Sequence, residues 1–434
     1  MNPTRRSILK WSGLALASSP VVGLLTLSIS GPSLLERQRA AARREGIPLT
    51  PEDLRPNPPI PDSQNAGPLL KELTKRYRAL PEKERIAWEK LSGDLLKAPE
   101  DEALRATFLD SEQRYATLIH LAQDASALPH CDMAYDWSQG PDLLFPEFAV
   151  LRQFARILTA KAYLASDATH AWTSIAQAAQ LGNRIGETPC LIAALVSVAI
   201  HAIADKGYIA TLKRFGPSQQ AHATLAAFGA PPDPELYFGG EVILSTVAMK
   251  QMRQGRVQSF SDESETPDTN RTLALVAPVA TPYWEKQLLL FWRGAFVQAR
   301  KCKQTGDYEA LGKWFDATVG EWQKDKLNIP QNLMVLILTP VFSEAAVKPH
   351  LHTAALRHLR ETALALLEEK AKTGSFPDSP TLPADPFSPD KQPLRYRKDG
   401  AGCLLYSIGQ DHTDDGGVAK REKNSEKLDL VVRL

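Results

Sequence analysis

Three carboxylates crowd into five residues near the C-terminus, at Asp411, Asp414 and Asp415, flanked by Gly409, Gly416 and Gly417. A hard cation such as Ca²⁺ takes about 6–8 oxygens, several from carboxylates, and a glycine-flanked run can curl around one ion. The same residues also make a solvated Asp-Gly turn. His350, His352 and His358 are the other possible metal ligands, but His352 and His358, six apart, fall on different faces of a regular helix. Glu235 with Glu241, or Glu368 with Glu369, would suit acid–base chemistry, although carboxylates on amphipathic helices usually form the solvated face. Trp284, Trp292, Trp314 and Trp322 either line a groove or fill a core.

Other signatures are missing. The chain has no Gly-x-Ser-x-Gly elbow, His-Glu-x-x-His pair, Walker loop or Gly-x-Gly-x-x-Gly turn, which lowers the odds of the common hydrolase, metalloprotease and nucleotide chemistries. Its 51 basic and 50 acidic residues nearly cancel, and no dense basic stripe follows Arg44, so nucleic acid is not an expected partner. Cys131, Cys190, Cys302 and Cys403 form no Cys-x-x-Cys pair; an oxidising compartment would permit disulfides among them.

The elements that must position these residues are mostly helices. With 43% of residues hydrophobic and 23% charged, the 434-residue chain can bury a sizeable core. Leu69 to Ser126 reads as two or three helices broken at Gly93 and Pro99. Leu151, Phe154, Ala155, Leu158 and Ala162 then make one buried stripe, and Asp167 or Thr169 caps a second helix carrying Trp172, Ile175, Ala176 and Ala179, with Gly182 near its end. This hairpin resembles one tetratricopeptide-like unit and implies stacked helical hairpins. The apolar stretch Cys190 to Ala204 is too short to span a membrane and reads as a core helix holding His201 as a core histidine. Further helices are expected over Glu235–Arg253, Tyr283–Arg300, Asp307–Trp322 and Gln331–Ala346, with an exposed polar loop from Gln254 to Arg271.

At the other end of the chain, Thr4-Arg5-Arg6-Ser7-Ile8-Leu9-Lys10 precedes an uncharged run from Trp11 to Leu35. The segment closely resembles a twin-arginine export motif. The run is about the ~20 residues a bilayer needs and lacks a good small-x-small cleavage site, which favours an uncleaved anchor. Arg5, Arg6 and Lys10 favour a cytoplasmic N-terminus, whereas Arg37, Arg39, Arg43 and Arg44 oppose that orientation. Seven prolines between Pro48 and Pro68 mark a stalk or a wrapped linker.

From His352 a helical stripe of Leu356, Leu359, Ala363, Leu366 and Leu367 runs to a Gly374 cap, after which the period changes to two. Leu394 with Tyr396, then Leu404, Tyr406 and Ile408 across an Asp399-Gly400 turn, and finally Leu428, Leu430, Val432 and Leu434 predict a three-stranded antiparallel sheet under the helix. Gly374-Ser375-Phe376-Pro377, Asp385-Pro386-Phe387, Leu394-Arg395-Tyr396-Arg397 and Tyr406-Ser407-Ile408-Gly409-Gln410-Asp411 resemble the globular end of type II secretion major pseudopilins. That resemblance implies a structural calcium at Asp411, Asp414 and Asp415. No prepilin cleavage motif heads the chain, so incorporation into a fibre is not implied.

The expected protein is mainly α: stacked helical hairpins, tetratricopeptide-like in part, with a small C-terminal helix and three-stranded antiparallel sheet. Its expected divisions are an N-terminal signal or membrane anchor (1–47), a proline-rich linker (48–68), a helical domain (69–346) and the pseudopilin-like module (347–434). The arrangement resembles uncharacterised bacterial envelope proteins. The expected role is an extracytoplasmic helical scaffold, anchored in the inner membrane and binding envelope proteins or peptides; an envelope enzyme with an unrecognised site, or a secretion-system accessory, are the alternatives.

Overall fold

In the computed structural model, residues 21–254, 267–324, 342–419 and 429–434 are described, without the side chains of 21–32, 267–279 and 342–345. The arginine pair, most of the polar tract after Gln254, the start of the Gln331–Ala346 helix and Leu428 lie outside the described residues.

In chain order the helices are α1 (Val21–Arg44), α2 (Gly67–Ala79), α3 (Glu82–Leu95), α4 (Glu102–Arg114), α5 (Ala116–Ala127), α6 (Pro146–Leu164), α7 (Ala168–Gly186) and α8 (Leu191–Phe215). They continue with α9 (Gln219–Ala226), α10 (Pro234–Arg253), α11 (Pro267–Thr305), α12 (Glu309–Lys324) and α13 (Phe342–Thr373), before β1 (Arg395–Asp399), β2 (Gly402–Ser407) and β3 (Leu430–Arg433). The protein is mainly helical with a small antiparallel sheet at its C-terminus, as the change of period implied.

The central stack is α6–α7–α8. The stripe Leu151, Phe154, Ala155, Leu158 and Ala162 is buried throughout, and the Asp167 side chain accepts the His170 N–H to start α7. Gly182 does not end α7, which runs on to Gly186. A Cβ at Gly182 would lie 2.7 Å from the His201 ring, so the missing side chain is what lets α8 approach. α8 continues beyond the expected Ala204 to Phe215, stopping at Gly216 with φ +77°. It is long and apolar enough to cross a membrane, but 56% of its most apolar window is buried within the protein. Between Leu69 and Ser126 the chain makes four helices, counting α2, and Gly93 lies inside α3 rather than at a break.

A second core forms where α1, α10, α11 and α12 meet. Leu35, Ala42 and Ile47 enter it beside Trp284, Trp292 and Phe291, and the four tryptophans pack there as core or core-flanking aromatics. Arg39 Nε donates to Glu285 Oε1 at 3.0 Å and Arg293 Nε to Glu45 Oε2 at 2.8 Å, clamping the second half of α1 and the residue that follows it to α11. The proline-rich stretch is the wrapped kind: Ala66 N–H donates to His130 O at 2.8 Å, and Asn65 Oδ1 accepts from both Gly67 and Asp132 N–H groups.

The C-terminal sheet has the order β1-β2-β3, with Tyr396 opposite Leu405 and Leu405 opposite Val432. Gly400 supplies the positive φ of the β1–β2 turn and Gly374 that of the α13 cap. One expectation about faces is corrected. Cys403, Leu405 and Val432 share a core with Leu359, Ala363 and Leu366 of α13, whereas Leu404 and Tyr406 face the other way. That second face is covered by the loop at Gly417, where a Cβ would come 2.6 Å from Leu404 Cδ2. β2 is therefore buried on both sides, which a simple alternation of apolar residues does not reveal.

Candidate functional site

A cleft of about 1350 Å³ opens where α8, α13, the start of α4 and strand β3 converge. α8 gives one wall through Lys206, Ile209, Lys213 and Arg214, three of them exposed cations on the helix face that turns away from the core. α13 contributes His352, Leu356 and Leu359, and Glu100, Glu102 and Arg105 also line the cleft. Leu430 to Arg433 form its margin.

At its base lie two buried charges, Asp205 and Arg360, 5% and 4% exposed. Arg360 Nη1 donates to Asp205 Oδ1, and its guanidinium lies 3.8 Å from the centroid of the Phe228 ring. Among the described residues, Asp205 Oδ2 and Arg360 Nε have no hydrogen-bond partner. Burial pushes the Asp205 carboxyl up against the pull of Arg360. One turn earlier, burial and the Arg360 charge push His201 down to about 4, and its Nε2 lies 3.1 Å from Ala179 O and 3.0 Å from Asn183 Oδ1. His201 is thus a neutral, hydrogen-bonded core histidine. The signal for the ion pair was present in the sequence as a single acid at the end of the α8 apolar run and a single arginine within the α13 stripe; neither announces the other.

The three aspartates lie in the loop above β2, away from that base. Asp414 accepts from Tyr406 Oη at 3.0 Å, Arg395 Nε at 3.2 Å and Gly416 N–H at 2.9 Å. Burial raises its pKa, but these donors together outweigh burial and hold its carboxyl below the usual range. Asp411 Oδ1 accepts the Thr413 N–H at 3.0 Å, while the backbone of Asp415 is directed to Asp429. Buried Asp429 also takes the Gly417 N–H at 2.7 Å, so an aspartate outside the expected trio organises the loop. Among the described residues, no group of three or more His, Cys, Asp or Glu side chains is placed to hold a metal ion. The Asp385-Pro386-Phe387 and Tyr406–Ile408 segments are tied together by Asp385, which accepts from Ser407 Oγ at 2.7 Å and Ile408 N–H at 2.9 Å.

The remaining candidates are dispersed. His350 stacks on Tyr308 with centroids 3.8 Å apart, and burial pushes it down to about 4; His358 Nδ1 lies 3.0 Å from Ala384 O. Glu235 is paired with Arg300 and Lys303, whereas Glu241 accepts the Leu191 N–H at the start of α8. Glu368 pairs with His222 and Glu369 is exposed. A second cleft of about 810 Å³ under the wrapped segment contains Cys131 and Glu187. Burial pushes the Cys131 thiol far above its ordinary value, so it is not a ready thiolate nucleophile. All four cysteines are buried free thiols.

Compared with protein-family models, with curated proteins and with solved structures, the chain matches none. The cleft therefore has to be read from its own chemistry. It offers exposed cations over an apolar wall and a buried polar base.

Proposed function

We propose that the protein is an extracytoplasmic helical scaffold, held at the inner membrane by its N-terminal segment, that binds envelope proteins or peptides in the α8–α13 cleft. The observation that carries the reading is the cleft itself: large, open between stacked helices, and lined by Lys206, Lys213 and Arg214 around apolar Ile209 and Leu356. Support for the location comes from Arg5-Arg6 ahead of the uncharged run to Leu35. The engagement of Arg39 with Glu285 gives at least one of the opposing arginines a structural role, which eases the conflict over orientation. Calcium at Asp411, Asp414 and Asp415 is a separate proposal, resting on the pseudopilin resemblance; binding there would require Asp414 to exchange its present donors for the ion.

The test is amine labelling of spheroplasts with a membrane-impermeant reagent, compared with the purified protein. Exposed Lys83 and Lys90 should be labelled in both, while Lys206 and Lys213 should be protected in cells by the bound partner. No labelling in spheroplasts would place the body inside the cytoplasm. Equal labelling of Lys206 and Lys213 in both preparations would mean that nothing occupies the cleft.

A further inference from the structure

The margin of the cleft is, among the described residues, an unpaired strand edge. Among the described residues β3 pairs with β2 alone, so its other side carries no strand. Leu434 and Cys403 exchange both backbone hydrogen bonds, at 2.9 and 3.0 Å. Bonded and non-bonded pairs alternate along an antiparallel ladder. With Val432 opposite Leu405 and Val431 opposite Tyr406, the backbone groups of Leu430 and Val432 turn towards β2, and those of Val431 and Arg433 turn away from it. Residues 430–433 also line the cleft, so this free edge runs beside the cationic face of α8.

We propose that an extended, acidic segment of a partner protein adds to β3 as a further strand. The proposal rests on the reading of the cleft as a partner-binding site and names what the partner brings. Two features select its chemistry. Unpaired backbone groups at an edge recognise a β-strand through main-chain hydrogen bonds, while alternate side chains find pockets, here Ile209 and Leu356. Charge sets the sign: Lys206, Lys213, Arg214 and Arg433 are exposed, Asp205 and Arg360 neutralise each other, and Asp429 is occupied by backbone N–H groups. Glu100 and Glu102 also line the cleft and would repel a partner's acids, which favours placing those acids beside the α8 cations.

The experiment uses the full-length protein and a fluorescein-labelled peptide alternating valine and glutamate, with binding followed by fluorescence anisotropy. In a strand, successive N–H groups point to opposite sides. N-methylation of one alternate set of residues should therefore weaken binding about tenfold or more, and methylation of the other set should leave it nearly unchanged. Replacing glutamate by lysine should abolish binding, and Lys206→Glu with Lys213→Glu should weaken it about tenfold. Val431→Pro removes an outward donor without touching the β2 ladder and should also weaken binding. The peptide series needs no change to the protein, so a misfolded proline variant does not decide the matter. Equal binding by both N-methylated peptides, undiminished binding by the lysine peptide, or no binding of the parent peptide would overturn strand addition. Binding only after removal of residues 420–427 would assign the edge to the chain's own segment and overturn it too. Protection of Lys206 and Lys213 in spheroplasts would survive any of these failures, keeping the cleft as a binding site of another kind.

Discussion

Arg360 on α13 donates to Asp205 on α8, joining two helices across 155 residues of sequence at the base of the cleft. Both side chains are buried, so their attraction is offset by the cost of taking two charges from water. The pair therefore contributes less to net stability than to fixing how α13 lies on α8.

Breaking the pair from one side should be costly. Arg360→Met leaves Asp205 buried without its partner and should destabilise the protein by about 3–5 kcal/mol in urea unfolding. Asp205→Leu combined with Arg360→Met should recover most of that loss, because neither charge then remains buried. A double variant as unstable as the single one would show that packing, including the Arg360–Phe228 contact, matters more than the charges.

Glu241 makes a pH prediction. Burial pushes its carboxyl up to about 7, against the lowering influence of the Leu191 N–H. A folded-state pKa above the unfolded value of about 4.5 means that the folded protein holds the proton more tightly. The associated stability is present below pH ~4.5 and is lost as pH rises through ~7. Glu241→Gln keeps an acceptor for Leu191 and cannot ionise, so it should be more stable than the parent at pH 8, by up to about 3 kcal/mol, and show no such gain at pH 4. An equal effect at both pH values would show that the carboxyl does not titrate in this range.

These buried groups also show where sequence reading stops. The stripe from Leu151 to Ala162 and the strands around Gly400 were legible because one local period dictates which face is buried. Gly182 was legible as a glycine but not in its role, since only the approach of α8 explains it. Leu404 and Tyr406 were assigned to the helix-facing side because alternation alone does not say which face meets α13. The cleft was not legible at all. Lys206, Arg360 and Val431 belong to three segments far apart in sequence, and only packing brings them together. Asp429 was missed for a similar reason: its role appears only once Gly417 and Val418 fold over it.

Calcium can be tested on the intact protein. Binding at Asp411, Asp414 and Asp415 should raise the melting temperature in millimolar calcium over that in chelator, since an ion that binds only the folded loop stabilises it by mass action. Asp414→Asn should shrink that difference. Identical melting curves with and without calcium would leave the Asp414 bonds to Tyr406 and Arg395 as the loop's means of closure.

The most direct test of the scaffold reading is photo-crosslinking in intact cells from a benzophenone amino acid placed at Ile209, inside the cleft, and at Ile86, an exposed residue elsewhere. The account predicts one discrete adduct from Ile209, lost with Lys206→Glu and Lys213→Glu, and no such adduct from Ile86. The same adducts from both positions, or none from Ile209, would contradict it.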